Sequence, residues 1–402
     1  MNDVVLKDIR EIYGCKKSPE PLSIKISGGL IEKIAPFDDL GNHRDNTEVI
    51  ESSGFTVIPG FVESHTHLLF AGSREDELYM RAAGTPYLEI LKRGGGIYNT
   101  VQAVRRASEQ QLIESGLKFL DQALGFGITT IEIKSGYGLD FENEEKMLKV
   151  INKLDKMHPV DIVPTFLVHT VPKDADRQEY LDGVVSEMIP EFRKYAEWFD
   201  IFLEKNVFTP EEAELLILAA KDKGYKIGIH TNQVNDIGGV ALAEKLGIRH
   251  VDHLEVLSDS DAERIRKNNI YSVFLPCAEG LVFSEHTGQI KKLSERPDLI
   301  VLSSDFNPGS SPVLSPYFVM SYAVMRYRIS DPELLIDAYT KNPAHMLMLE
   351  KTGEIKEGFN ADLVCLDLDN IRQIPYFGSF DIVRYIIKKG RLFSRKEGKF
   401  RN

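Results

Sequence analysis

The chain has 402 residues, 43% hydrophobic and 27% charged, which places it among globular proteins and outside the low-hydrophobicity disordered class. Lys and Arg number 49 against 61 Asp and Glu, a formal net charge of −12, so there is no global basic surface for nucleic acid or for an acidic membrane. Three scattered cysteines, Cys15, Cys277 and Cys365, are too few for a disulfide framework or a cysteine-based zinc site; with no signal-peptide apolar core and no 18-residue apolar run, a soluble cytoplasmic protein is expected.

Residues 1–58 read as short strands between turns. Leu22-Ser-Ile-Lys-Ile26 alternates apolar and polar residues with period two, and Gly28-Gly29 turns the chain into Leu30-Ile-Glu-Lys-Ile34. Residues 347–402 have the same texture, in Ala361–Leu366, Ile382–Ile387 and Arg391-Leu-Phe393. The two ends predict one small composite β-sandwich flanking a middle domain over 59–346. In that middle, strands are expected at Val57–Val62, Ile128–Lys134, Ile162–Val168, Trp198–Leu203, Lys226–Ile229, His250–His253, Tyr271–Leu275 and Leu299–Ser303. Helices are expected at Gln111–Leu124, Glu142–Lys156, Glu211–Lys223 and Gly238–Leu246, with Gly125, Gly224 and Gly247 as C-terminal stops. Eight β–α units in about 250 residues predict the α/β class and a (β/α)₈ TIM-type barrel. Gly94-Gly-Gly96 does not form a G-x-G-x-x-G turn between strand and helix, which argues against a dinucleotide fold. It falls in the first β–α connection, Leu68–Gln110, which is too long to be inert by default.

Chemistry in such a barrel collects at the C-terminal ends of the strands. Those ends read His65-Thr-His67, Lys134-Ser-Gly-Tyr137, His169, Glu204, His230-Thr-Asn-Gln233, His253-Leu-Glu255 and Ser304-Asp305-Phe-Asn307-Pro-Gly309-Ser310. They hold five of the ten histidines; His43, His158, His250, His286 and His345 fall elsewhere and read as ordinary. In an extended chain His65 and His67 point to the same side. Alone, such a pair fits a solvent-facing strand end as well as a metal site. Joined by His230 and Asp305 from other strand ends, it makes a set for one first-row metal ion with a position left open for water.

This pattern resembles the amidohydrolase superfamily. Within it, Pro59–Arg74, Gly94-Gly-Gly-Ile97, Glu132–Leu139, Asp252–Glu255 and Asp305–Pro312 are similar to the imidazolonepropionase family. The resemblance implies one zinc or iron ion per subunit on His65, His67, His230 and Asp305. It implies hydrolysis of the ring C–N bond of 4-imidazolone-5-propanoate to N-formimidoyl-L-glutamate by metal-activated water, in a homodimer. Catalytic roles fall to Asp305 as ligand and proton acceptor, and to His253, which orients or deprotonates the water or stabilises the oxyanion. Gln233 hydrogen-bonds the ring amide. The substrate carboxylate goes to the fork of Arg74, helped by Tyr137 and His169, with Asn307, Gly309 and Ser310 gripping the product's carboxylate.

Each role has a structural alternative: Arg74 paired with Glu75 or Asp76, His253 bonded to Asp252 or Glu255, Gln233 satisfying backbone, and Asn307 building an Asn-Pro-Gly turn. The third strand end is one residue shorter before His169 than the family pattern, and strand five has Thr-Asn where the family commonly has Ala-Asp. Lys134 lies on strand two, whereas a metal-bridging lysine of the superfamily comes from strand four, so one metal is expected. Competing functions are a related cyclic amidase or heterocycle deaminase, and a non-catalytic barrel that only binds.

Overall fold

Eight parallel strands run side by side in chain order: β1 (Phe61–Glu63), β2 (Ile128–Lys134), β3 (Asp161–Val168), β4 (Trp198–Leu203), β5 (Lys226–Thr231), β6 (His250–His253), β7 (Tyr271–Phe274) and β8 (Ile300–Leu302). The computed structural model describes residues 3–16, 18–42, 47–85, 89–90, 95–396 and 399–401; Gly94 and His43 lie outside the described residues. Strands such as β2 are buried along their whole length, as expected for a parallel sheet covered on both faces. The sheet curls until its edges meet. At the C-terminal end Thr66 bridges Phe306 in parallel, and His67 N donates to Phe306 O at 2.9 Å. Lower down the seam is held by Ser64 N to Ser303 Oγ at 3.1 Å and Val62 N to Tyr339 O at 2.9 Å. This is the expected (β/α)₈ architecture, with side chains and a loop completing the join between β8 and β1.

The helices begin where side chains can cap them. Ser108 and Gln111 form a reciprocal capping box, so the first long helix starts at Glu109 and not at Gln111. Thr209 and Glu212 do the same for Pro210–Asp222, and Asp140 caps Phe141–Met157. The first long helix also runs through Gly125; the left-handed turn that ends it is carried by Gly127, at φ 84°.

The expected strand Val57–Val62 is divided. Thr56–Pro59 pairs antiparallel with Leu363–Leu366, whereas Phe61–Glu63 opens the barrel. The break falls at Gly60, where a Cβ would lie 2.3 Å from Thr129 Oγ1, so only glycine lets the two sheets approach. Around it the sandwich is assembled from both termini. A four-stranded sheet has the order Leu30–Pro36, Leu22–Ser27, Val4–Ile9, Glu48–Glu51; a six-stranded one has Lys399–Arg401, Arg391–Lys396, Val383–Lys388, Leu363–Leu366, Thr56–Pro59, Glu11–Ile12. Their shared core joins Val4, Leu6, Ile24 and Ile26 to Leu363, Cys365 and Ile387. Lys388, buried, bonds Asp362 and the first residue of β3, Asp161, each at 2.8 Å, and so ties the sandwich to the barrel.

Candidate active site

Past β1 the chain brings His65 and His67 together with ring centroids 5.6 Å apart. His230, near the end of β5, lies 4.5 Å from the first and 5.5 Å from the second, centroid to centroid. One nitrogen from each of the three falls within 4.8 Å of the others. Asp305, just beyond β8, places Oδ1 3.6 Å from His65 Nε2 and 3.5 Å from His67 Nε2. All four side chains are buried. Among the described residues, Nε2 of His65 and Nε2 of His230 have no hydrogen-bond partner. A buried polar atom left so costs about 1–3 kcal/mol, and a cation taking nitrogen and oxygen donors would relieve both. Burial, together with Lys134 for His65 and His230 for His67, holds these two imidazoles well below the ordinary histidine range and therefore neutral, the form that ligates metal. Burial also raises the Asp305 carboxyl to about 6. The residues present fit a single metal ion.

Beneath this set lies a charged layer that the strand-end reading did not include. Asp252, in the middle of β6, accepts from His65 Nδ1 at 2.7 Å with one oxygen and pairs with His250 Nδ1 at 2.8 Å with the other. Holding Nδ1 turns Nε2 of His65 toward Asp305 Oδ1. His250, read as ordinary, is thus a partner of that aspartate. Asp200 on β4 lies 3.0 Å from His230 Nδ1, an ion-pair distance off the hydrogen-bond line, and accepts from His230 N at 3.2 Å. Lys134 stands among the acids, 3.0 Å from Glu132, 2.9 Å from Asp200 and 3.9 Å from Asp252. Burial alone would lower its pKa; Asp200, Glu132 and Asp252 outweigh that and raise it, so the ammonium keeps its proton. The sequence signal was available: a lone aspartate interrupts the apolar run of β4, and Glu132 and Lys134 are two residues apart on one face of β2.

On the other side of the histidines, Tyr137 and His169 form a wall. His169 stacks on His67 at 5.5 Å, Tyr137 is 5.7 Å from His67, and the two are 5.8 Å from each other, so the shortened third strand end still delivers His169 beside the metal set. Burial, with the neighbouring His230, lowers the His169 imidazole to about 3. The Tyr137 phenol is raised by burial and by Asp305. Arg74 pairs with neither Glu75 nor Asp76. It forks onto Glu77 through Nε at 2.9 Å and Nη2 at 2.7 Å, with Nη1 against Gly309.

Asn307 builds its own turn, donating to Asp305 O at 2.6 Å and Ser310 Oγ at 2.8 Å and accepting from Gly309 N and Ser310 N. Ser310 Oγ in turn donates to Asp305 Oδ2 at 3.2 Å. His253 sits 5.3 Å from His230, centroid to centroid, with Nδ1 3.4 Å from Glu255 Oε1. Its backbone at φ 85°, like Leu254 at 63° and Asp305 at 52°, is left-handed, a strain often found at functional sites. Gln233 is half-buried on the loop after β5 and makes no side-chain hydrogen bond among the described residues. That loop is held by Glu204, whose carboxylate accepts from Val234 N at 2.9 Å and Asn235 Nδ2 at 3.0 Å.

A curled (β/α)₈ sheet with three histidines and an aspartate converging at its C-terminal mouth defines a metal-dependent hydrolase. The Amidohydrolase family matches residues 56–393. The imidazolonepropionase of Alkaliphilus metalliredigens is 36% identical over 98% of this chain and 98% of its own length. That of Geobacillus kaustophilus is 38% identical over 92% and 89%, and that of Treponema denticola 37% over 93% and 92%. The chain belongs to the amidohydrolase family and, within it, to the imidazolonepropionases. Among solved structures, a 5-methylcytosine deaminase of Klebsiella pneumoniae superposes with a TM-score of 0.76 at 14% identity over 98% of each chain. N-isopropylammelide isopropylaminohydrolase of Burkholderia multivorans gives 0.73 at 15% identity over 98% of this chain and 99% of its own. These two share the fold.

Proposed function

We propose that the chain hydrolyses the ring C–N bond of 4-imidazolone-5-propanoate, giving N-formimidoyl-L-glutamate, with one zinc or iron ion held by His65, His67, His230 and Asp305. The observation that carries the reading is the pairing of that set with the half-buried guanidinium of Arg74, whose charge acts on both Tyr137 and His169: a metal hydrolase with a place for an anionic side chain. When bound, such an ion supplies Lewis acidity and can bring the pKa of water from 15.7 to about 7. Arg74 binds the propionate, and the Tyr137 hydroxyl and neutral His169 line the path between that carboxylate and the ring. Gln233 takes the ring amide. Asp305, its Oδ2 steadied by Ser310, accepts the proton from the attacking water and returns it to the departing ring nitrogen as the C–N bond opens. His253 stabilises the developing oxyanion. Asn307 and Gly309 act through the turn that presents Asp305 and packs against Arg74.

The same reading carries a division into 1–58, 59–346 and 347–402, a homodimer and a cytoplasmic location, which sedimentation and cell fractionation test. Among the described residues no helix is long and apolar enough to cross a membrane. The decisive assay follows the loss of imidazolonepropionate absorbance and identifies the product by mass. N-formimidoyl-L-glutamate is the expected product. No turnover of this substrate, with turnover of a cytosine- or adenine-like ring in its place, would establish the deaminase alternative.

A further inference from the structure

Arg74 cannot select a carboxylate unless something fixes its plane. An arginine carries five N–H donors on a long flexible stem, and its advantage over lysine lies in presenting them as a rigid fork. Here that rigidity has a visible source in Glu77, one turn along the helix Glu75–Ala82 and 4% exposed. Glu77 Oε1 accepts from Arg74 Nε at 2.9 Å and Oε2 from Nη2 at 2.7 Å, a bidentate contact that fixes the guanidinium plane. The same Oε1 accepts from Gly96 N at 2.9 Å, and Arg81 Nη1 lies 3.7 Å from Oε2. Arg81 also donates through Nη2 to Gly309 O at 2.7 Å, in the turn that follows Asp305. Burial works against ionisation of Glu77, but Arg74, Gly96 N and Arg81 outweigh it and keep the carboxyl below its usual range.

Glycine is needed at position 95 because a Cβ there would lie 2.7 Å from Ile90 Cγ2 and 3.1 Å from Glu77 Oε1, so part of the glycine-rich motif is a backbone brought up against this carboxylate. A ligand carboxylate can meet only the edge of the Arg74 fork that Glu77 leaves open. With Nε and one edge of Nη2 engaged by Glu77, the edge formed by Nη1 and the second N–H of Nη2 remains for that ligand.

We propose that Glu77 is the positioning residue for substrate-carboxylate recognition, acting through Arg74 and linking the glycine-rich connection after β1 to the Asp305 turn. The proposal rests on the imidazolonepropionate reading given above. Its test is a double-mutant cycle of Glu77→Gln and Arg74→Ala, with each protein assayed on 4-imidazolone-5-propanoate and on 5-methyl-imidazol-4-one, the same ring without the carboxylate. Expected for Glu77→Gln is a KM for the propionate substrate raised by about tenfold or more at little-changed kcat, an unchanged kcat/KM for the truncated ring, and no further loss when added to Arg74→Ala. Equal losses on both rings, a loss additive with Arg74→Ala, or wild-type kinetics would overturn it. If Glu77→Gln alone does not fold because Arg74 is left unpaired, the comparison of Arg74→Ala/Glu77→Gln with Arg74→Ala decides, since the double variant removes both members of the Arg74–Glu77 pair. Wild-type enzyme that does not turn over the propionate substrate removes the functional reading and this proposal with it; active wild type with an indifferent Glu77 removes the proposal alone.

Discussion

Replacing Gly309 by alanine asks how much one methyl group at the Asp305 turn matters. The backbone there is outside the left-handed region, so the substitution carries no conformational penalty of its own. The new Cβ would stand 2.1 Å from Arg74 Nη1 and 2.5 Å from its Cζ. Ordinary contact requires about 3.5 Å, so the guanidinium must retreat by roughly 1.4 Å. That is enough to break one arm of its bond to Glu77 or to the ligand. A hydrogen bond to a charged group contributes about 1.5–3 kcal/mol, which is roughly a ten- to hundredfold loss in kcat/KM. Stability should fall little, because the group that moves is the far end of a long side chain. Steady-state kinetics on 4-imidazolone-5-propanoate, with a thermal melt of the same samples, measures both. A Gly309→Ala enzyme within threefold of wild type in kcat/KM would refute the reasoning, and so would one that lost activity only because it unfolded.

Asp252→Asn leaves His65 without its charged partner and should weaken metal binding by about 10- to 100-fold in a chelator competition; an unchanged affinity would mean that the 2.7 Å contact does not tune the ligand. Lys134→Met strands Glu132, Asp200 and Asp252 together in the barrel interior and should lower unfolding stability by about 3–5 kcal/mol, read from the denaturant midpoint. Glu279, raised to about 7 by burial and then by Glu255, gives a pH test. Its folded pKa lies above the unfolded value, so the stability it contributes is present at low pH and lost as pH rises from about 4.5 to about 7. The stability of Glu279→Gln relative to wild type should therefore increase by about 3 kcal/mol across that window; a difference independent of pH would contradict it.

Much of the barrel was legible because its strands are apolar runs bounded by helices with readable caps and stops, and β2, β4 and β6 begin and end where their residues say. The division at Gly60 was not legible: Val57–Val62 is one apolar run, and which sheet each half joins is decided by partners more than sixty residues away, Thr129 and Leu363–Leu366. The convergence of His65, His67 and His230 could be read because histidines at strand ends are rare and the ends converge by topology. The charged layer under it lies mid-strand, where side-chain direction follows from strand pairing and not from local pattern. Arg74's partner was missed for a similar reason. Glu75 and Asp76 are nearer in sequence, but the helix that starts at Glu75 carries Glu77, three residues on, to the face where the arginine lies.

One metal ion on His65, His67, His230 and Asp305 is proposed to make this chain an active imidazolonepropionase. Metal content and turnover of 4-imidazolone-5-propanoate, measured on the same preparations across a titration from stripped to saturated protein, test it most directly. Saturation is expected at one zinc or iron per chain, with the rate of N-formimidoyl-L-glutamate formation rising in proportion. Metal-saturated, folded protein that forms none of this product would contradict it.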